Sequence, residues 1–302
     1  MSSVSGVLTA ARRRVPRRLL PLLYAVRFAL AWPRRAVRED ARAQMRFLLE
    51  RTRTDADLDA VARAYVKHQI RRGELRWHPE LLTGLRVVGL EHLTAARSRG
   101  KGVVLSFAHH GFYDGAFPSI AREGVPCHMV AYGYMLRPDA PAWLRQHVAV
   151  ATAGGGRAVS AEIGHAGLVE LLGRGEVVAI ASDVPGRTPV RFAGRDVLGS
   201  FGAARVSAET GAPTVVLTTE VDEDGPLIRL HEPLLPSGPG SARGLLDSIL
   251  RVHEEVQLRW PEATDIPVSR WGASAADGED GGDAGAVAGA ARRVPGAHRR
   301  AS

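Results

Sequence analysis

Four short apolar runs set the limits on how this chain can fold: Gly102-Val-Val-Leu-Ser-Phe107, Val125-Pro-Cys-His-Met-Val-Ala131, Val177-Val-Ala-Ile-Ala181 and Thr214-Val-Val-Leu-Thr218. Each is rich in branched residues and free of Lys, Arg, Asp and Glu, the pattern of a strand buried on both faces in a parallel sheet. The stretches between them carry helical patterns, at about 113–122, 139–146, 160–173 and 202–210. Further strands are expected at 85–89 and 148–152, with a short helix through Arg97 and a last helix over 241–259 that Pro261 stops. The alternation predicts an α/β fold, an open and mostly parallel sheet flanked by helices, with ligands at the strand C-termini. At 302 residues, one such domain with additions is expected.

The additions lie at the two ends. Residues 1–53 hold thirteen arginines and no lysine against three acids. That surplus of ten exceeds the net +8 of the whole chain, so the remainder is slightly acidic. Within this arm Leu19–Trp32 is apolar, yet it is too short to span a bilayer and contains Pro21 and Arg27. Flanking arginines with Tyr24 and Trp32 suit a helix lying on an anionic membrane surface. A secretory signal fits less well, because Pro33-Arg-Arg follows Trp32 where a small-residue cleavage site belongs. Nucleic acid is not expected as a partner, since the aromatics are not interleaved with the arginines in the way a base-stacking surface requires. Helices are expected at 36–52 and 55–72, the second capped by Thr54, with Leu58, Val61, Ala62, Tyr65 and Val66 on its apolar stripe. From Gly272 the chain lacks bulk and period and reads as disordered. The expected division is a basic helical, membrane-associating arm at 1–75, an α/β domain at 76–271 and a tail at 272–302.

The chemistry concentrates directly after the first apolar run, in His109-His110-Gly111-Phe-Tyr-Asp114-Gly115. Two imidazoles and a carboxylate at a strand end suit general-base catalysis, in which neutral histidine takes a proton from an attacking hydroxyl or amine and the acid steadies the imidazolium. On a continuous helix His109 and Asp114 would lie about 140° apart, so a bend must bring them together. Gly111 can supply it. The same residues also read as a plain turn that ends a strand, with Asp114 favoured by the following helix dipole.

Two other stretches are placed on the expected ligand edge. Ala153-Gly-Gly-Gly-Arg157 reads as a strand-to-helix turn, where Arg157 can hold a phosphate or carboxylate. Asp183-Val-Pro-Gly-Arg187 follows the 177–181 strand, and its acid and arginine can orient an anionic head group or simply form a turn. Arg191–Gly202 reads as a loop able to line an acyl groove. No G-x-S-x-G elbow, P-loop or dinucleotide fingerprint occurs. Cys127, the single cysteine, excludes an internal disulfide and reads as a small buried residue, and no zinc set is present.

Taken in order, His109-x4-Asp114, Leu168-Val-Glu-Leu-Leu-Gly-Arg-Gly-Glu176 with Val177–Asp183, Phe192-Ala-Gly-Arg195 and Gly202–Pro213 resemble the bacterial lipid A lauroyl/myristoyl acyltransferase family. That family includes the actinobacterial phosphatidylinositol mannoside acyltransferases. The likeness extends to Trp260-Pro-Glu and Arg270-Trp271. It implies transfer of a fatty acyl group from acyl-CoA or acyl carrier protein to a hydroxyl of a membrane lipid or glycolipid, at the cytoplasmic face, by a peripheral enzyme without a further cofactor or metal. His109 then matches the base and Asp114 its charge-relay acid, whereas Arg157 and Asp183 match loosely. Phe112-Tyr113 replaces the family's usual Asn-Trp, so the acceptor pocket is expected to differ. His109-His110-x3-Asp114-Gly115 also resembles the H-H-x3-D-G motif of peptide-synthetase condensation domains, which would make His110 the base and an amine a possible acceptor. A third alternative is a lipid-binding homologue that has lost activity. The oxyanion donor is open between a backbone N–H near Gly111 and Arg157.

Overall fold

The computed structural model describes residues 11–236 and 241–272. The tail expected from 272 therefore lies, Gly272 apart, outside the described residues.

Seven strands form the main sheet: β1 (Arg86–Val88), β2 (Val103–Phe107), β3 (His128–Ala131), β4 (Arg157–Ser160), β5 (Val177–Ala181), β8 (Thr214–Asp222) and β9 (Gly225–Leu230). Their order is β1-β9-β8-β2-β5-β3-β4. β8, β2, β5, β3 and β4 run parallel, while the β8–β9 hairpin turns β9, and β1 beside it, the other way. β2 lies in the middle, between β5 and β8, with all five residues buried. This is the α/β, mostly parallel architecture that the apolar runs predict.

Alternation along the strands builds two cores. Val103, Leu105, Phe107, Val177, Ala179 and Leu217 face one side, under α4 (Leu90–Arg97) and α5 (Ala116–Arg122). Val104, Val178 and Ile180 face the other, under α8 (Gly164–Gly173) and α9 (Gly202–Thr210). Cys127 sits in the first core at 1% exposure, and burial pushes its thiol up to about 12.

The N-terminal helices are α1 (Leu20–Ala31), α2 (Arg35–Leu49) and α3 (Leu58–Leu75). α3 starts later than expected, because Asp57 and not Thr54 caps the free N–H groups of Asp59 and Ala60. α2 and α3 bury Met45, Leu48, Leu49, Ala62 and Tyr65 in one core with Val216, with α10 (Ser241–Arg259) and with Trp271 of α11 (Pro267–Trp271). α1, with its N-cap residue Leu19, instead leaves Leu19, Leu22, Val26 and Leu30 exposed. These recur every three or four residues and so line one face of the helix. Among the described residues no helix is long and apolar enough to cross a membrane.

Two local expectations fail. Residues 148–152 are not a strand but the end of α7 (Ala142–Ala151), whose buried Leu144, His147 and Val150 keep a helical spacing. The strand comes after the glycines, as β4. Arg191–Gly202 is not an open loop but mostly an antiparallel hairpin, β6 (Thr188–Phe192) with β7 (Arg195–Gly199). Its two-residue turn has Ala193 at φ 50° and Gly194 at φ 69°, the left-handed pair a tight hairpin requires.

Candidate active site

The site begins with strand register. In the parallel β2–β5 pair Phe107 stands opposite Ala181, so two residues further on His109 and Asp183 leave the sheet side by side. The Asp183 carboxylate takes His109 at both ends: Oδ2 accepts the backbone N–H at 2.8 Å, and Oδ1 lies 2.8 Å from ring Nδ1. With Nδ1 carrying its proton to Asp183, Nε2 keeps its lone pair. Nε2 has no partner among the described residues, and the side chain is 17% exposed. Burial, followed by the charge of Arg270, lowers the imidazole below its ordinary value against the opposing pull of Asp183. Burial raises the Asp183 carboxyl, but His109 and Arg270 outweigh it and hold the acid far below the carboxylate range. The product is a neutral imidazole oriented by an ionised carboxylate.

Asp114 is placed differently from the expectation. Gly111 makes the predicted bend, at φ 61°, and residues 113–115 form a 3-10 turn, but neither Asp114 oxygen bonds to His109. Oδ2 accepts from Arg76 Nη2 at 2.9 Å and Nε at 3.3 Å, and Oδ1 lies 2.7 Å from His147 Nδ1, too poorly aligned for a full hydrogen bond. Burial raises this carboxyl, yet Arg76, then His147 and Arg72, hold it well below the usual range. The motif acid thus anchors the turn to α7 and to the end of α3.

His110 points inward. Its Nε2 lies 2.9 Å from the Trp260 carbonyl, its own carbonyl accepts from Thr219 Oγ1 at 2.7 Å, and burial pushes the ring down to about 4. Gly111 donates its N–H to Ala263 O at 3.0 Å. That group is spent on holding the chain and is not free for an oxyanion.

Arg157 does not belong to the site. It opens β4, so it lies at the N-terminal edge of the parallel strands, opposite the edge that His109 and Asp183 leave. There it pairs with Glu176 at 3.3 Å, beside His128, whose Nε2 is 3.0 Å from the same acid. Arg187 is exposed, four residues past Asp183 and just before β6, without an ion-pair partner among the described residues.

Four residues of this neighbourhood lie outside the motif. Arg76 and His147 hold Asp114, while Asp265 and Arg270 arrive from the C-terminal segment. Asp265 donates its N–H to His109 O at 2.8 Å, and Arg270 Nε lies 3.5 Å from Asp183 Oδ2. Local patterning carries no signal for such distant contacts, although Arg270-Trp271 belongs to the family-like ending. No family model and no curated protein matches this sequence.

Proposed function

We propose that this chain is an acyltransferase that moves a fatty acyl group from acyl-CoA or acyl carrier protein to a hydroxyl of a membrane lipid or glycolipid. The observation that carries the reading is the His109–Asp183 pair at the C-terminal edge of β2, with an Nε2 that has no partner among the described residues. In the proposed step Nε2 takes the acceptor hydroxyl proton as the oxygen attacks the thioester carbonyl. The tetrahedral intermediate expels the thiolate, and the imidazolium returns the proton to that sulfur. Asp183 stabilises the imidazolium in between. No enzyme-bound nucleophile is needed, and the only cysteine is buried and protonated.

The arm supports a lipid setting at the cytoplasmic face of the membrane. The exposed stripe Leu19, Leu22, Val26 and Leu30 lies within the arginine-rich segment, the apolar-plus-cationic combination that an anionic membrane surface recruits. Arg12 and Arg27 share the buried Glu74, so this surface keeps a cationic excess after its internal pairing. The condensation-like alternative has less support, because the His110 ring is buried and occupied by Trp260.

The test is thiol release from long-chain acyl-CoA and acyl carrier protein, with and without a lipid extract. Lipid-dependent release that His109→Ala reduces by about a thousandfold or more, and that a conservative His110→Gln change largely spares, is the expected outcome. Release that depends on an amine acceptor would contradict the lipid reading, and no release in any arm would favour a binding protein.

A further inference from the structure

The segment after Trp260 crosses the motif and does more than close the core. Its Ala263 carbonyl holds Gly111, the Asp265 N–H holds His109, and the Gln44 side chain accepts from the Val268 N–H at 2.9 Å. Between Asp265 and Pro267 the chain turns through Ile266 at φ 41°, a left-handed conformation that a branched residue before proline strongly disfavours. Such strain persists only where the surroundings enforce it. What the turn achieves is the placement of Arg270. Its Nε donates to Asp265 O at 2.8 Å and its Nη2 to Asp265 Oδ2 at 2.9 Å, while Nε also stands 3.5 Å from Asp183. Asp265 is gripped from behind by Arg72. Trp271 fixes the far end, stacked on Phe192 at 4.4 Å.

We propose that Arg270 is a positioning residue for the His109–Asp183 pair, held in place as the second member of an alternating Asp183–Arg270–Asp265–Arg72 chain. Asp183 is fully buried and would otherwise carry a negative charge compensated only by a proton on His109. A buried carboxylate left in that state draws a proton onto its imidazole and removes the base. Arg270 supplies the compensating charge from the side away from Nδ1, so Asp183 can stay ionised while His109 stays neutral. The other groups facing the pair do not replace it. Tyr113 presents its ring edge-on to His109 at 4.8 Å, and burial, with Asp114 next, raises its hydroxyl above the ordinary range, so it stays neutral. Tyr132, half-buried before α6 (Gly133–Leu136), is likewise raised, first by burial and then by Tyr134. His110 and His253 are pushed down to about 4 by burial and carry no charge near neutrality. Asp265 is negative, and Arg72 is engaged with it.

The proposal rests on the His109–Asp183 pair as the working dyad, but its test needs no substrate. The His109 ring is titrated by NMR in the full chain labelled at histidine, for wild type, Arg270→Met, Arg270→Gln and Arg270→Lys. The expected result is a midpoint that rises by about one unit in the Met and Gln variants, the size of effect a nearby unit charge has in a partly screened site. Arg270→Lys should stay within a few tenths of wild type. An unmoved midpoint in a folded Met or Gln variant overturns the proposal, leaving Arg270 as a clip for the C-terminal segment. Failure of every non-cationic variant to fold while Arg270→Lys folds with a shifted midpoint overturns it as well. Absent acyl transfer with the expected titration would sink the function above and leave this inference standing.

Discussion

His109 and His110 are neighbours of one residue type, and the structure separates them by their bonds. One imidazole has a carboxylate on Nδ1 and, among the described residues, no partner on Nε2, while the other is tied to a backbone carbonyl. The sequence placed both at the right strand end but could not say which faces inward, since that depends on Trp260, 150 residues away. It also offered Asp114 as the relay acid because Asp114 is near in sequence, whereas the partner is near through strand pairing. Asp183 was visible as the residue ending the neighbouring apolar run. Only the register of β5 on β2 makes it the partner. The pH behaviour follows from His109. Its value lies below the ordinary 6.5, so the base form is already dominant there, and kcat/KM for acyl transfer should fall only on acidification below that point. A pH-rate profile with an acid limb centred above 7 would contradict this.

At the scale of elements, the account turns on how Gly111 and α1 are placed. A Cβ at Gly111 would meet Thr219 Oγ1 at 2.0 Å and Trp260 at 3.1 Å, and φ 61° already disfavours any other residue. Gly111→Ala should therefore cost about 2–4 kcal/mol in thermal or urea unfolding, from backbone strain and overpacking together. A neutral effect would show that the turn is looser than described. α1 makes the opposite kind of prediction. Leu22 and Leu30 are 61% and 63% exposed, so Leu22→Glu with Leu30→Glu should leave stability within about 0.5 kcal/mol while lowering affinity for anionic vesicles more than tenfold. Unchanged co-sedimentation would remove α1 from the membrane reading. The β6–β7 hairpin was the least legible element. Its Ala193-Gly194 turn lacks the Asn-Gly or Asp-Gly that signals a tight hairpin, and the glycines at 193–202 read as a loop. The end of α7 resembles a strand for a related reason, since Val148-Ala-Val-Ala-Thr152 is as apolar as one and only its burial pattern shows a helix.

For the whole molecule, the α/β class was legible because the runs at 103–107, 177–181 and 214–218 are buried strands of one sheet, with no competing helical period. What was not legible is how tightly the helices α2 and α3 and the short α11 pack together against that sheet. Packing of this kind buries ionisable groups, and acid should open it in two stages. His68 is pushed down to about 3, and His110 and His253 to about 4, chiefly by burial. Each binds a proton more readily when unfolded, so stability is complete above about pH 6.5 and declines as pH falls toward 4. Asp114, Asp183 and Asp265 are depressed instead, so their contribution persists down to about pH 4 and is lost below it. Tm measured from pH 8 to 3 should therefore begin to fall well before the carboxylates titrate, and a flat Tm between 6.5 and 4.5 would contradict the burial of these histidines.

The most direct test compares Asp183→Asn with Asp114→Asn, each with its acyl-transfer rate measured per folded molecule. The account predicts that Asp183→Asn loses about a hundredfold or more in rate, because the imidazole is no longer held in its basic tautomer. Asp114→Asn should lose about 3 kcal/mol or more of stability by stranding Arg76, while its folded fraction keeps most of the rate. The reverse pattern, a fast Asp183→Asn and a stable but inactive Asp114→Asn, would contradict the dyad on which the account is built.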